Sequence, residues 1–283
     1  MSKLLTLAFS ISFLTFIGFT GITAEAKASN DEPKGDVSAY FQGAYISVSD
    51  AESKLTAAGF EVISMYSSVK KGKTIIFTSP ALKKEAAKKP IRANIAVLRL
   101  FVDDKEKTIS LANPVYFGKA YMQDDYNHAT FSAIKAKLEK AFPGLKNSKD
   151  KMEFEDLGDF RFTMMHPRYH EVEVVGEGSN AELLKKARNY KKGKLVAFEL
   201  KITDDTTLFG YGIGRGTQRF VKKIGRANAG LLPWPLVISG GKATVLKAEY
   251  YIAMNYPLLG MGKFATIALV PGNVIKDLKK PFK

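Results

Sequence analysis

Three short motifs recur in the same order along the 283-residue chain, and a repeated motif order narrows the available folds more than any single composition figure. Ser49-Asp50-Ala51-Glu52 is echoed by Ser179-Asn180-Ala181-Glu182. Lys70-Lys71-Gly72-Lys73, leading into Thr-Ile-Ile-Phe, is echoed by Lys191-Lys192-Gly193-Lys194, leading into Leu-Val-Ala-Phe. Arg92-Ala93-Asn94 is echoed by Arg226-Ala227-Asn228, each ahead of an apolar run. Ser-x-x-Glu is a capping box, which predicts a helix start at Ser49 and at Ser179. Lys-Lys-Gly-Lys before β-branched and aromatic residues predicts a polar turn entering a strand.

The flanking patterns extend this reading. In the first half they predict strands over 44–48, 61–69, 73–78, 95–102 and 108–111, with a helix over 50–58 closed by Gly59. Phe131, Ile134, Leu138 and Phe142 fall at helical spacing until Pro143-Gly144 ends the run. In the second half, strands are expected over 170–175, 195–203 and 206–211, and a capped helix runs to about Asn189. A basic helix follows over 217–227, then a hairpin across Gly240-Gly241 and a last helix over 273–278. The strand over 61–69 has no evident counterpart after Asn189. The expected fold is α+β: two tandem homologous domains, each an antiparallel sheet with helices packed on one face.

The ends of the chain suggest an address. Residues 4–23 carry no charge and are followed by Ala24-Glu25-Ala26-Lys27-Ala28, small residues at cleavage spacing, so 1–28 reads as a Sec-type signal peptide cut after Ala28 or Ala26. Residues 29–39 read as a flexible leader, 40–145 as the first domain, 146–168 as a linker and 169–283 as the second domain. The chain has no Cys, which excludes a disulfide framework, a thiolate zinc site, an iron–sulfur cluster, a thiol nucleophile and a lipid anchor on cysteine. Periplasmic or secreted placement is the expectation, with no transmembrane segment after cleavage.

With these patterns in place, Gly214-Arg215-Gly216-Thr217-Gln218-Arg219-Phe220, Ile224 to Trp234, and Tyr250-Tyr251 make the second half similar to bacterial exported proteins related to the family catalogued as domain of unknown function 302. The first half resembles the same domain through Ile109-Ser110-Leu111-Ala112-Asn113-Pro114. The resemblance implies a small α+β domain with a helix after its first strand and another at its end. It brings no catalytic residue.

Charge supplies the main candidate site. Lys and Arg total 43 against 28 Asp and Glu, a formal +15, and the stretch from Lys185 to Arg226 alone holds twelve basic and three acidic residues. Within it Gly210, Gly212, Gly214 and Gly216 alternate ahead of Arg215, Arg219, Lys222, Lys223 and Arg226. Glycine-rich backbone at a helix start offers amides to an anion, and Arg adds a bidentate fork. The spacing matches neither nucleotide-binding fingerprint. The alternative is a solvated basic face opposite Phe220, Val221 and Ile224. A second candidate is aromatic: Trp234, Tyr250, Tyr251 and Tyr256 either line an apolar ligand cavity or form core.

Other constellations are weaker. Met164-Met165 with His166 and His170 has soft-metal character, but Pro167 interrupts a helical pairing of the two histidines, and no metal or other cofactor is assigned. Asp124, Asp125 and His128 read as a polar turn and cap. The expected function is therefore an exported binding protein for a small anionic or amphipathic ligand or an anionic lipid or glycan surface, with no nucleic-acid partner. The site would comprise Arg215, Gly216, Arg219, Lys222, Arg226, Trp234, Tyr250 and Tyr251. The rival is a periplasmic enzyme with Arg215, Tyr250 and Glu249 between the repeats; a third reading has the basic face docking an acidic partner.

Overall fold

The computed structural model describes residues 31–161 and 167–283. The first half begins with β1 (Asp36–Ser38), β2 (Tyr40–Ala44), α1 (Val48–Ala57), β3 (Glu61–Val69) and β4 (Gly72–Thr78). It continues through α2 (Pro80–Ala86), a tight 3₁₀ segment (Pro90–Ala96), β5 (Leu98–Asp103), β6 (Thr108–Ala112), α3 (Pro114–Met122) and α4 (His128–Ala141). The short strands β7 (Lys146–Asn147) and β8 (Lys151–Glu153) lead into the second half. That half runs β9 (Val172–Glu177), α5 (Asn180–Asn189), β10 (Val196–Lys201), β11 (Thr207–Tyr211), α6 (Arg215–Gln218), α7 (Phe220–Ile224) and a second 3₁₀ segment (Arg226–Leu231). It closes with β12 (Trp234–Ser239), β13 (Lys242–Leu246), α8 (Ala248–Asn255), α9 (Met261–Ala265) and α10 (Val270–Lys279).

The fold is α+β, and its two main sheets are antiparallel throughout. One has the order β3-β4-β5-β6-β2-β7 and the other β10-β11-β12-β13-β9. Setting β7 aside, each sheet takes its five strands in the spatial order second, third, fourth, fifth, first. A helix follows the first strand in each (α1, α5), a 3₁₀ segment precedes the fourth, and a helix follows the fifth (α3, α8).

Burial along the strands shows where the halves meet. Ile75 and Ile76 point to opposite faces of β4, and both are fully buried, so this sheet is covered on both sides. Helix α1 packs on β3 and β4, and the other face receives the second half: Arg226–Leu231 lies across β3, β4, β5 and β6. The relation is reciprocal, because Pro90–Ala96 lies against β11 and β12. On β5 the residues facing this junction are Arg99, Phe101 and Asp103. Arg99 donates to the Pro233 carbonyl, Asp103 accepts from Arg226, and a Cβ added to Gly230 would stand 3.1 Å from the Phe101 Cβ. One apolar core runs through both halves.

Several expectations need correction. Helix α1 is capped by Ser47, which accepts from the Asp50 amide at 3.0 Å, so Ser49 lies inside the helix and the strand expected over 44–48 ends at Ala44. The Ser179–Glu182 capping box forms as expected. Strand β10 occupies the place in its sheet that β3 holds in the other, so a counterpart to 61–69 exists after Asn189. The Lys-Lys-Gly-Lys motifs accordingly do not occupy matching places. The first turns the β3–β4 hairpin, whereas Lys191, Lys192 and Gly193 follow α5 in three successive left-handed conformations (φ 51°, 58° and 73°). The leader is partly built in, since β1 pairs with β8 and Ala39 is fully buried. The basic helix over 217–227 is broken into α6, α7 and the 3₁₀ segment, with Gly225 at φ 111° marking the second break.

Candidate anion-binding cleft

Strand β3 shifts register against β4 between Tyr66 and Val69, where Ser67 is exposed and stands beside α6 and α7. Gln218 bridges the two: its Oε1 accepts from the Tyr66 hydroxyl at 2.8 Å, and its Nε2 donates to the Ser68 carbonyl at 2.6 Å. The resulting cleft has a volume of ≈ 580 Å³ and brings Lys70 of the first half together with Arg215, Arg219 and Lys222 of the second. All four are exposed, and no acidic side chain lines the cleft. Among the described residues none of the four pairs with a carboxylate. Sequence reasoning identified Arg215, Arg219 and Lys222; Lys70 joins them only through the fold.

The glycine-rich backbone does something other than expected. The Gly214 amide donates to Asp277 Oδ2 at 2.9 Å, and the Thr217 hydroxyl donates to the same oxygen at 2.7 Å. A carboxylate from α10 therefore fills the position that an external anion would take at the start of α6, a helix of four residues. Burial would raise the Asp277 carboxyl, but Lys280, Thr217 and the Gly214 amide together hold it below the usual carboxylate range. Gly210 is needed because a side chain there would collide with the Phe198 ring and Pro233. Gly216 is exposed with open space around it.

Arg226 leaves the cleft group entirely. Its Nε and Nη2 donate to the two Asp103 oxygens at 2.8 and 2.6 Å, and Nη2 also donates to the carbonyls of Lys70 and Lys71 at 3.0 and 3.2 Å. The Asp103 side chain is 1% exposed. Burial pushes its carboxyl upward; Arg226 and the amides of Glu106 and Lys105 outweigh that and hold it below the ordinary value. The pair fastens one half to the other.

Trp234, Tyr250 and Tyr251 are all core rather than cleft. Trp234 meets Tyr251 edge to face at 4.7 Å between ring centroids, the Tyr251 hydroxyl donates to the Leu231 carbonyl at 2.6 Å, and Tyr250 packs against Tyr169 and Phe160. Burial pushes both tyrosine hydroxyls upward, which keeps them protonated. Arg215 and Tyr250, which the enzyme reading joins, thus serve different surroundings, and Glu249 lies in the first turn of α8. In the first half Asn113 caps α3 by accepting from the Val115 amide at 3.0 Å.

Asp125 accepts from Lys89 and Arg92 at 2.7 and 3.0 Å, and His128 Nδ1 bonds with the Tyr126 hydroxyl at 2.9 Å. These groups hold α4 and its approach in place. Met164, Met165 and His166 lie outside the described residues; His170 is exposed, and no group of three metal-ligating side chains occurs among the described residues. No helix among those residues is long and apolar enough to cross a membrane.

Comparisons of the chain with protein-family models, curated proteins and solved structures find no match. The likeness to the domain-of-unknown-function family rests on the quoted residues alone.

Proposed function

We propose that this is an exported binding protein that takes an anionic ligand in the cleft formed by Lys70, Arg215, Arg219 and Lys222. The observation carrying the reading is the convergence of four cationic side chains from both halves on one cleft lined by no carboxylate. Like charges gathered without counterions raise one another's electrostatic energy, and an anion relieves that cost. The volume of ≈ 580 Å³ falls in the range of small-molecule sites, and Arg215 and Arg219 offer planar forks suited to carboxylate or phosphate. The uncharged N-terminal run and the small residues after it support export.

The test is thermal unfolding at constant ionic strength with inorganic phosphate, succinate, or vesicles of anionic or neutral phospholipid. A bound anion at about a hundredfold excess over its dissociation constant stabilises by about 2.7 kcal/mol. The double variant Arg215→Gln/Arg219→Gln is expected to lose that stabilisation while unfolding normally without anions, because both side chains are exposed. A wild-type protein indifferent to every anion in the series defeats the reading.

A further inference from the structure

Arg99 stands in the middle of the junction, 8% exposed, on the face of β5 that meets the second half. A guanidinium carries five N–H donors and one full charge. Its hydrogen bonding to the described residues is a single long contact from Nη2 to the Pro233 carbonyl at 3.4 Å, and its buried Nε has no partner. No carboxylate among the described residues pairs with it. Burying a charge in this condition is strongly unfavourable unless something compensates it.

Beside Arg99 lies a small cavity, ≈ 10 Å³ of space for a water-sized sphere, lined also by Tyr40, Phe117, Tyr121 and Asn255. The polar groups around it are nearly all accounted for. The Tyr40 hydroxyl donates to Asn255 Oδ1, and the Asn255 amide donates to the Tyr251 carbonyl at 2.7 Å. The Arg99 donors and the Tyr121 hydroxyl remain, and that hydroxyl makes no hydrogen bond with the described residues. Arg99 is also close enough for its charge to act on the hydroxyls of Tyr40, Tyr121 and Tyr251.

Donors converging on one small space beside an unneutralised positive charge describe an anion site, and the space, about enough for one water, must widen slightly to take even a monatomic anion. Phosphate, sulfate and carboxylates are too large. We infer that Arg99 and Tyr121 hold a single monatomic anion, chloride, between the two halves. It neutralises the guanidinium where no carboxylate of the chain does, and it accepts from the Tyr121 hydroxyl. The basic cleft is a separate feature, since none of its lining residues lines this cavity.

The experiment measures thermal unfolding of the full chain in chloride, bromide or gluconate at fixed ionic strength. In the wild type the midpoint is expected to rise by about 3 °C for each tenfold increase in halide above its dissociation constant. Arg99→Met is expected to lose the difference between halide and gluconate, and Tyr121→Phe to require about tenfold more halide for the same rise. A midpoint equal in chloride and gluconate overturns the inference, as does a halide effect that persists in Arg99→Met, which is then a general salt effect. Should Arg99→Met fail to fold, crystals of the wild type grown in bromide decide the matter. An anomalous peak within contact of the Arg99 guanidinium supports the site, and a water there with no peak refutes it.

Discussion

Arg92-Ala93-Asn94 and Arg226-Ala227-Asn228 lie in corresponding 3₁₀ segments, each ahead of the fourth strand of its sheet and each packed on the sheet of the other half. Arg92 nevertheless keeps its hydrogen bonds at home, donating to Asp125 at 3.0 Å and to the Tyr121 carbonyl at 3.2 Å, and reaches the second half only by lying 5.9 Å over the Tyr169 ring. Arg226 crosses to Asp103. The asparagines show the opposite division, since Asn94 reaches the Tyr169 hydroxyl of the second half at 3.4 Å, while Asn228 turns back to the Ile224 carbonyl at 2.7 Å. Equal tripeptides in corresponding segments thus make unequal contacts. What decides between them is where an acceptor stands: Asp103 ends β5 opposite Arg226, and the residue seven positions beyond each arginine is Arg99 in one half and Pro233 in the other.

That difference can be broken experimentally, and the largest effect lies in the crossing pair. Arg226→Met leaves Asp103 buried without its counterion and is expected to cost about 3–5 kcal/mol in urea unfolding. Arg92→Met is expected to cost about 1 kcal/mol, because Asp125 is 22% exposed and keeps Lys89. Equal losses would mean that the two arginines do the same work.

Acid titration gives a somewhat smaller effect. Asp103 has a folded-state pKa below its unfolded value, so its contribution is fully present above the usual carboxylate range and is lost as pH falls through the depressed value. Asp103→Asn is expected to be less stable than wild type by about 2 kcal/mol at about pH 7, with the gap closing toward about pH 2. A gap independent of pH would show that the Arg226 pair does not act through the ionised carboxylate.

The helix caps give the smallest contrast. Ser179→Ala is expected to cost about 1 kcal/mol and Ser47→Ala somewhat less, because only Ser179 belongs to a reciprocal box in which Glu182 returns a bond to the cap amide. Calorimetric unfolding of the two variants side by side checks the order.

Much of the strand framework was legible because its signals are local. The bounds of β3, the turn at Gly240-Gly241 with both glycines at positive φ, and the buried Phe131, Ile134 and Leu138 of α4 all follow from neighbouring residues. Helices α3 and α8 escaped a periodicity search because they are buried nearly all round and have no polar face to mark a period. Asn113-Pro114 and Ser79-Pro80 were nonetheless readable as helix starts, a cap followed by proline in the first turn. Within the site, the basic stretch announced Arg215, Arg219 and Lys222, but nothing near Lys70 in the chain places it beside them. Arg99 gave no local signal either, since nothing beside a lone arginine in Leu98–Asp103 shows that Tyr40, α3 and the second half surround it.

The reciprocal packing also bears on how the chain is made. Asp103 leaves the ribosome 123 residues before Arg226, an interval of roughly ten seconds at ordinary elongation rates. Throughout that interval the face of β5 carrying Phe101 lacks the cover it will have in the finished fold. A carboxylate on an open apolar sheet face keeps that face hydrated. Asp103 is thus already in place on the unfinished surface, and it later receives the arginine that closes that surface.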